Sequence, residues 1–513
     1  MSKIIIRDVA KRYANGFEAL KGVSAEISAG SFTVILGPSG AGKSTLLRTL
    51  NGLETPTSGS VQIGEHPVTH ASLREIRSQV GMVFQQFNLV DRLSVMTNVL
   101  TGRLSHRSWL GSLLYLFQRC DMDIAHDALI RVGLTDKAWN RADKLSGGQQ
   151  QRVGIARALA QQPRVILADE PVASLDPVTG EEIMGLLREI CTRDGITVVV
   201  NLHQIELAKR FADRVIGLNE GVVVYDGTAG GLDRTTLSRI YRRNGDQIDE
   251  QFETMLAYAN GLPALGPSVI LAASVLLLGI SASAVELDLV RLFTAIPRML
   301  EFGSHLLVLP DWEYLPTLGV NMLQTIEMTF LATSIALVIS LPLGVLAAVN
   351  ASPHPAVFHA TRNVLTLMRA LPELVWALVF VSAVGLGPLP GIMALSFVTV
   401  GFMGKFFAES IEVIDPRQIE GVAAHGAGWL QLRTFAFFPQ AFPDFVGTVM
   451  YILDHNLRAA AILGLVGAGG IGYDLVMAMR MFDYDRLLPI ALSIYVVVTV
   501  LDRMSDKFRR RLI

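Results

Sequence analysis

The feature that most constrains this chain is a set of three long stretches without charge in its second half. No Asp, Glu, Lys or Arg occurs in residues 254–285, 328–361 or 374–404. Each stretch is longer than the ~20 apolar residues that a helix needs to cross a bilayer. An unusually apolar soluble domain is the alternative, but three such stretches favour a membrane domain. We therefore predict that the second half spans the lipid bilayer.

Six membrane crossings are expected, and two of them contain charged residues. Arg369 and Glu373 lie in the third crossing, and Asp454 and Arg458 lie in the fifth. Basic residues at 507–511 follow the last crossing, as the positive-inside rule requires of a cytosolic end. With a cytosolic first half, both termini are expected on the inner side of the cytoplasmic (inner) membrane. The crossings are predicted near residues 268–285, 322–348, 364–386, 392–411, 443–465 and 485–502.

The first half mixes charged and apolar residues as a soluble domain does. Short apolar strands alternate with helical patterns, which predicts an α/β fold with a parallel sheet. Its first residues lack the apolar core of a secretory signal, so this half is expected in the cytosol. The expected organisation is a nucleotide-binding domain at 1–245, a linker at 246–265 and a membrane domain with about six helices at 266–513.

Cysteine content and charge exclude several function classes. The two cysteines, Cys120 and Cys191, form neither a disulfide framework nor a metal site and are expected to be reduced thiols. The formal net charge of -2 gives no indication of a nucleic-acid partner.

Residues 37–44 form a glycine-rich phosphate-binding loop with the pattern GxxxxGK[ST]. The loop follows a predicted strand and opens a predicted helix, which is the context this motif requires. Glycines let the backbone N–H groups turn toward phosphates. Lys43 is expected to supply charge to the β- and γ-phosphates, and Ser44 an oxygen to Mg²⁺. The expected ATP-binding residues here are Gly37, Pro38, Ser39, Gly40, Ala41, Gly42, Lys43, Ser44 and Thr45.

A second predicted strand ends in two acidic residues, Asp169 and Glu170. A carboxylate at a strand end can hold Mg²⁺, and a second can orient the attacking water, since phosphoryl transfer depends mainly on positioning and charge stabilisation. Alone, such a pair would more often be a solvated loop. Together with the phosphate loop, it predicts Asp169 as a metal ligand and Glu170 as the catalytic carboxylate.

The sequence LSGGQ at residues 145–149 lies between these two motifs. It is the signature of ATP-binding cassette proteins, and the first half closely resembles that family. The resemblance implies that Gln85 senses Mg²⁺, that His203 contacts the γ-phosphate and that Tyr13 stacks on adenine. It also implies that the signature and Asp176 act on nucleotide held by a second ATPase. The signature residues concerned are Ser146, Gly147, Gly148 and Gln149.

One ATPase domain therefore makes only half of each composite site. Because the chain carries a single phosphate loop and a single signature, the resemblance implies a homodimer of this chain. The cofactors expected on the same grounds are ATP and Mg²⁺.

A second resemblance lies between predicted crossings four and five. Glu420, Gly426 and Pro439 keep the spacing of the cytoplasmic coupling loop of importer permeases, EAA-x3-G-x9-I-x-L-P. Gly421 and Val422 replace the two alanines, and other positions also depart from the pattern. The chain is thus similar to an α/β P-loop ATPase fused to an all-α polytopic membrane domain of the type I importer permease fold.

The membrane half also resembles the permease of phosphonate importers. The similarity lies in residues 369–378, 385–388, 456–460 and the glycine-rich run 464–472, and residues 167–176 resemble the ATPase of the same system. Such systems usually keep ATPase and permease in separate chains. Arg458 is a candidate for an anion path or for pairing with Asp454. For Arg369, pairing with Glu373 is preferred.

The resemblance implies ATP-driven import of a phosphonate or a related oxyanion such as phosphite or phosphate. A small dianion needs several converging donors, and the predicted outside segment 286–320 is too short to form a ligand domain. An extracellular or periplasmic solute-binding protein is therefore expected as a partner. An exporter and a complex that transmits mechanical force without transport are the alternatives; exporters lack the coupling-loop pattern at Glu420.

Overall fold

The computed structural model of the chain describes residues 3–241, 267–285, 289–305 and 311–512. The predicted linker at 246–265 lies outside the described residues. The chain divides into two compact units, of which the first contains Met1–Arg242, Pro342–Arg362 and Lys405–Val446. The second contains Arg243–Leu341, Asn363–Gly404 and Gly447–Ile513. Two segments of the second half of the sequence thus belong to the first unit.

The first unit contains two β-sheets. A six-stranded sheet has the order β10-β9-β3-β8-β7-β6 and is parallel except for the β9–β10 hairpin. A four-stranded antiparallel sheet has the order β2-β1-β4-β5. The strands are β1 Ile4–Arg12, β2 Glu18–Ile27, β3 Phe32–Leu36, β4 Ser58–Ile63, β5 His66–Pro67, β6 Val80–Val83, β7 Val165–Asp169, β8 Thr197–Leu202, β9 Arg214–Asn219 and β10 Val222–Gly227.

Strands β3, β7 and β8 are apolar along nearly their whole length because both faces of the parallel sheet are covered. Alternate residues of β3 enter different cores: Val34 packs in one and Ile35 in the other. This confirms the predicted α/β fold. The helices of this part are Lys43–Leu50, Leu73–Gln79, Val95–Leu100, Trp109–Leu113, Arg119–Arg131, Gly147–Ala160, Pro177–Asp194, Ile205–Phe211 and Arg234–Tyr241.

The rest of the chain is helical, as predicted. Its helices are Pro267–Ala284, Leu289–His305, Leu315–Ala347, Pro355–Met368, Glu373–Val384, Pro388–Glu412, Pro416–Ala423, Trp429–Leu432, Phe438–Leu463, Ile471–Met481 and Tyr484–Leu512, with a π-helical turn at Arg433–Phe437. Within the described residues, four continuous helical stretches are long and apolar enough to cross a membrane. They are Leu315–Ala347, Pro388–Glu412, Trp429–Val466 and Tyr484–Lys507.

The third predicted crossing, at 364–386, is wrong as a continuous helix. Two helices, Pro355–Met368 and Glu373–Val384, meet there at a bend of 83°. Pro372 explains the break, because proline lacks a backbone donor and disfavours helical geometry in the residue before it. The first predicted crossing coincides with Pro267–Ala284, whose apolar part Leu271–Ala284 is shorter than the ~20 residues usual for a span. The number of crossings stays a prediction.

In the second unit, a buried amide joins three helices, and a glycine allows a close backbone approach. Asn456, 2% exposed, accepts a hydrogen bond from Oγ1 of Thr399 and donates one to Oγ1 of Thr333, both at 3.0 Å. These bonds join three helices. In the glycine-rich run, a Cβ on Gly464 would lie 2.0 Å from the carbonyl carbon of Gly472. Glycine at 464 is therefore required for this backbone approach.

Candidate functional site

The phosphate loop joins β3 to the helix Lys43–Leu50, and its shape depends on glycine at two positions. A Cβ on Gly37 would lie 2.1 Å from the carbonyl oxygen of Leu218. Gly42, with a φ of +95°, would place a Cβ 2.3 Å from the carbonyl oxygen of Ala19. Between them, Ser39 and Gly40 are exposed at the tip. The loop is thus a backbone cradle with room for phosphate outside it.

Lys43 is buried beneath this cradle. Its Nζ donates to the carbonyl oxygens of Gly37 at 2.9 Å and Pro38 at 3.0 Å, and it lies 3.9 Å from Oε1 of Glu170. Burial lowers the pKa of Lys43, and the charges of Glu170 and Asp169 partly oppose that shift. The ammonium group is therefore held between the loop and two carboxylates.

Asp169 ends β7 and lies opposite Asn201 on β8. One carboxylate oxygen, Oδ1, accepts hydrogen bonds from Oγ of Ser44 and Nδ2 of Asn201, each at 2.8 Å. The sequence prediction included Ser44 and Asp169 but missed Asn201, which the parallel register brings alongside. These side chains supply oxygen atoms, the ligands that Mg²⁺ prefers.

Glu170 adopts a left-handed backbone conformation, with a φ of +47°, directly after β7. Such a conformation is uncommon for a residue with a side chain and is found mainly at constrained sites. Its Oε1 is hydrogen-bonded to Nε2 of His203. Nζ of Lys43 lies 3.4 Å from the same ring nitrogen. The structure therefore brings Lys43, Glu170 and His203 into mutual contact.

Tyr13, Ala41 and Gln85 are further predicted residues of this site. The hydroxyl of Tyr13 lies 3.3 Å from Oγ1 of Thr45, which places the tyrosine beside the phosphate loop. Ala41 is buried within the loop. Gln85 follows β6 and is exposed to solvent.

The signature lies in a separate groove. Ser146 precedes the helix Gly147–Ala160, and its backbone N–H donates to Oε1 of Gln149 at 3.2 Å. Gly147, Gly148 and Asp176 line the same groove. Within the described residues, no phosphate-loop residue is part of its lining. The signature and Asp176 therefore lie on one surface. The Asp176 carboxylate caps the helix Pro177–Asp194 by accepting from the N–H of Thr179 at 3.0 Å.

The helix Pro416–Ala423, which we call the coupling helix, packs in the first unit. Its Glu420 forms an ion pair with Arg48, near the end of the helix that begins at the phosphate loop. Burial raises the pKa of Glu420, and Arg48 opposes this. Gln418 donates to Oδ2 of Asp91 at 3.0 Å and accepts from its backbone N–H at 3.4 Å.

Gly426 lies just beyond the coupling helix. Its φ is +78°, and an added Cβ would lie 3.0 Å from Cβ of Ser105. Pro439 is buried at the second position of the helix Phe438–Leu463, just after the π-helical turn Arg433–Phe437. The predicted coupling residues thus lie in one segment, with Glu420 and Gly426 against the ATPase fold.

Two family models match this chain. The ABC transporter model matches residues 20–173, and the model of the binding-protein-dependent transport system inner membrane component matches residues 340–513. The phosphonates import ATP-binding protein PhnC of Thiobacillus denitrificans is 70% identical over 259 residues, which are 50% of this chain and 100% of that protein. PhnC 2 of Trichodesmium erythraeum is 58% identical over 255 residues, covering 49% of this chain and 98% of the relative.

The phosphite import ATP-binding protein PxtA of Stutzerimonas stutzeri is 56% identical over 231 residues, which are 45% of this chain and 83% of that protein. This chain belongs to the ATP-binding cassette importers of the phosphonate transporter type. Its ATPase and its permease are fused. ATP hydrolysis in the first part is coupled to transport by the second.

The importer contains a close contact that the family pattern does not explain. Gly421 stands where the coupling-loop pattern has alanine, and a Cβ there would lie 2.0 Å from the carbonyl oxygen of Asn88. The same Cβ would lie 3.0 Å from Nη1 of Arg157. Glycine at this position therefore allows the coupling helix to pack closely against the segment that follows Gln85.

Arg157 was missed by the sequence analysis. It lies near the end of the signature helix and is 0% exposed. Its guanidinium donates to the carbonyl oxygens of Asn88 at 2.7 Å and Phe87 at 3.0 Å. Burial lowers the pKa of Arg157 to about 9. The Ala156–Arg157 pair carries no signal for this role in the sequence, because the bonded carbonyls are distant in sequence.

His425 was also missed. It is fully buried, with Nδ1 donating to the carbonyl oxygen of Gly421 at 2.8 Å. Its Nε2 is buried without a hydrogen-bond partner among the described residues. Burial, with the charge of Arg157, lowers the pKa of His425 to about 3. A neutral imidazole is therefore enclosed in the coupling contact.

The two membrane arginines differ from each other. Arg458 forms an ion pair with Asp454, which was one of the two roles expected for it. The preferred pairing of Arg369 with Glu373 at helical spacing is wrong, because the break at Pro372 separates them. The Arg369 guanidinium instead lies 5.9 Å from the centre of the Phe402 ring.

Proposed function

We propose that this importer uses ATP hydrolysis to carry a phosphonate, or a related oxyanion such as phosphite or phosphate, across the cytoplasmic membrane into the cell. The identity to import ATPases named for phosphonates and for phosphite supports this substrate class. The observation that carries coupled transport is the ion pair of Glu420 with Arg48. It joins the coupling helix to the helix that begins at the phosphate loop.

The chemistry proposed for the ATP site follows from its contacts. Lys43 is buried with its charge directed at the loop and would neutralise the β- and γ-phosphates. Glu170 would orient and polarise the attacking water. His203, which already contacts Glu170, would contact the γ-phosphate, and Tyr13 would stack on adenine.

The residues fit a magnesium ion, whose charge would stabilise the phosphates when it is bound. Ser44 and Asp169 present oxygens 2.8 Å apart, and Gln85 is exposed shortly after β6. We propose these three as its protein ligands.

The working form is proposed to be a homodimer in the cytoplasmic membrane, with the ATPase parts in the cytosol and both termini inside. The separate signature groove supports this, since its residues need a nucleotide from another copy. Mass measurement of the detergent-purified protein should give two chains. Full ATPase activity in a pure monomer would contradict it.

A solute-binding protein outside the membrane is proposed as the second partner. In proteoliposomes, partner protein preloaded with methylphosphonate should raise ATP turnover and support concentrative uptake. Repeating the measurement with partner preloaded with phosphite or phosphate ranks the three anions by their uptake rates. The Glu170→Gln variant is the control for ATP dependence. Uptake by the chain alone would show that no partner is needed. ATP-dependent efflux would favour the exporter. ATP turnover with no movement of anion would favour the complex that transmits mechanical force.

A further inference from the structure

A segment of the ATPase part exposes an unusual number of apolar side chains. Residues 108–117, with the sequence SWLGSLLYLF, contain no charge, and we call them the apolar segment. Exposed fractions are 56% for Trp109, 56% for Leu110, 67% for Leu114 and 64% for Leu116. Soluble surfaces rarely carry a contiguous apolar patch unless it binds something. The nucleotide site and the coupling helix do not account for these side chains.

The apolar segment is attached to the start of a predicted membrane span. Oγ of Ser112 accepts from Nε2 of Gln431 at 2.8 Å, and the Tyr115 hydroxyl donates to the carbonyl oxygen of Thr434 at 3.0 Å. The rings of Tyr115 and Phe435 lie 4.5 Å apart. The stretch Trp429–Val466 is long and apolar enough to cross a membrane. The segment is therefore fixed beside the first turns of this stretch.

Those first turns also expose apolar side chains. Trp429, Phe438 and Phe442 are each about two-fifths exposed. The Arg433 guanidinium lies 4.4 Å from the centre of the Trp429 ring. Exposed apolar groups thus continue from the span onto the ATPase part. Arg119, two residues after the segment, is exposed as well.

We propose that the apolar segment binds the cytoplasmic surface of the lipid bilayer, inserting Trp109, Leu110, Leu114 and Leu116 among the headgroups and upper acyl chains. Tryptophan and leucine beside a cationic residue are typical of elements that lie in the membrane interface. The hydrogen bonds to Gln431 and Thr434 hold the segment beside the helical turns that lead into the predicted crossing at 443–465.

A second copy of the chain is the other occupant to consider. The groove assigned to the dimer is lined by residues around Ser146 and Asp176. Among its described lining residues none comes from the apolar segment. Continuity with the membrane span therefore favours lipid over a second copy.

The test uses the full chain in lipid nanodiscs, with Cys120→Ser removing the exposed thiol. A bimane label is placed at Leu114→Cys or, separately, at Leu116→Cys. The control is Trp139→Cys, because Trp139 is 72% exposed on the same helical part of the ATPase but lies outside the segment. All of these side chains are exposed, so the substitutions remove little packing.

Brominated lipids should quench the segment labels by at least about twofold, and iodide in water should quench them less than the control, since an interfacial group lies at acyl depth. Labels at both segment positions that behave like the Trp139→Cys label would overturn the proposal. So would labels shielded from both iodide and brominated lipid, because protein would then cover the segment.

Discussion

The nucleotide site and the coupling contact differ in how their polar groups are satisfied. In the nucleotide site, Lys43 binds loop carbonyls and Glu170 binds His203, so the functional groups neutralise one another around an open cradle. In the coupling contact, Gly421 packs on Asn88 with no spare volume, and Arg157 and His425 are enclosed. The first is built to receive a ligand, and the second to fit one particular protein surface.

This difference explains why the nucleotide site has clear sequence motifs and the coupling contact does not. ATP has the same atoms in every relative, so the residues that bind it are fixed in type and spacing. A coupling helix only has to match the ATPase in its own chain, so compensating changes on both sides are tolerated. Gly421, in place of the alanine of the pattern, leaves room for the carbonyl oxygen of Asn88.

The largest effect is expected from a substitution that stops ATP hydrolysis and leaves the coupling contact unchanged. Glu170→Gln should bind ATP but lower its hydrolysis by roughly 10²- to 10⁴-fold, because an amide cannot polarise water as a carboxylate does. Turnover and nucleotide binding are measured on the same preparation. Glu189→Gln, which changes an exposed carboxylate on the helix Pro177–Asp194, is the control and should stay near normal. Normal turnover in Glu170→Gln would remove Glu170 from the mechanism.

The next effect is expected from a substitution that disturbs the coupling contact and leaves the nucleotide site unchanged. Gly421→Ala should reduce partner-stimulated transport by about tenfold or more, because overpacking against a backbone oxygen costs about 1–3 kcal/mol. Binding of ATP should be unchanged. Gly428→Ala is the matched control, since its Cβ would meet only Oε1 of Gln431 at an ordinary 3.6 Å. Equal transport by the two variants would show that the contact at Asn88 is not essential.

A smaller effect is expected at the ion pair between the coupling helix and the phosphate-loop helix. Glu420→Ala and Arg48→Ala should each lower coupled transport by about fivefold, the equivalent of ~1 kcal/mol for a partly exposed pair. In a double-mutant cycle, the double variant should be no worse than either single variant. Additive losses would mean that the two residues act separately. Unchanged transport in Glu420→Ala would contradict the assignment of this helix.

The last effect is nearly zero at neutral pH and appears only in acid. His425 has a pKa of about 3 in the buried contact, against ~6.5 when it is exposed. Between these values the open or unfolded chain binds the extra proton, so the contact is fully stable above about pH 6.5 and weakens as pH falls toward 3. At pH 5.5 the loss is about 1.4 kcal/mol. Arg157 also faces this histidine, but it stays charged over that range.

Thermal unfolding in nanodiscs at pH 7.5 and 5.5 measures this effect. The wild type should lose more stability on acidification than His425→Gln, whose amide does not titrate. Comparing the two proteins cancels the contributions of other titrating groups. Equal acid sensitivity would show that His425 is not responsible.

Much of the nucleotide site follows from the sequence alone. The phosphate loop, Asp169 and the signature were predictable because their spacing reflects local geometry and a constant ligand. The apolar strands of the parallel sheet were predictable because burial on both faces leaves a continuous apolar run. The four long apolar helices were predictable because a helix that crosses a bilayer needs ~20 apolar residues in sequence.

Tertiary structure decided the rest, and the reason in each case is a contact between residues distant in sequence. Asn201 reaches Asp169 only through the register of β7 and β8. Arg157 and His425 have no motif, and their roles come from carbonyls and charges that folding brings near. The break at Pro372 could have been anticipated from proline, but not its angle. Side chains acquire such roles when packing removes water around them, and a linear pattern does not record which neighbours replace it.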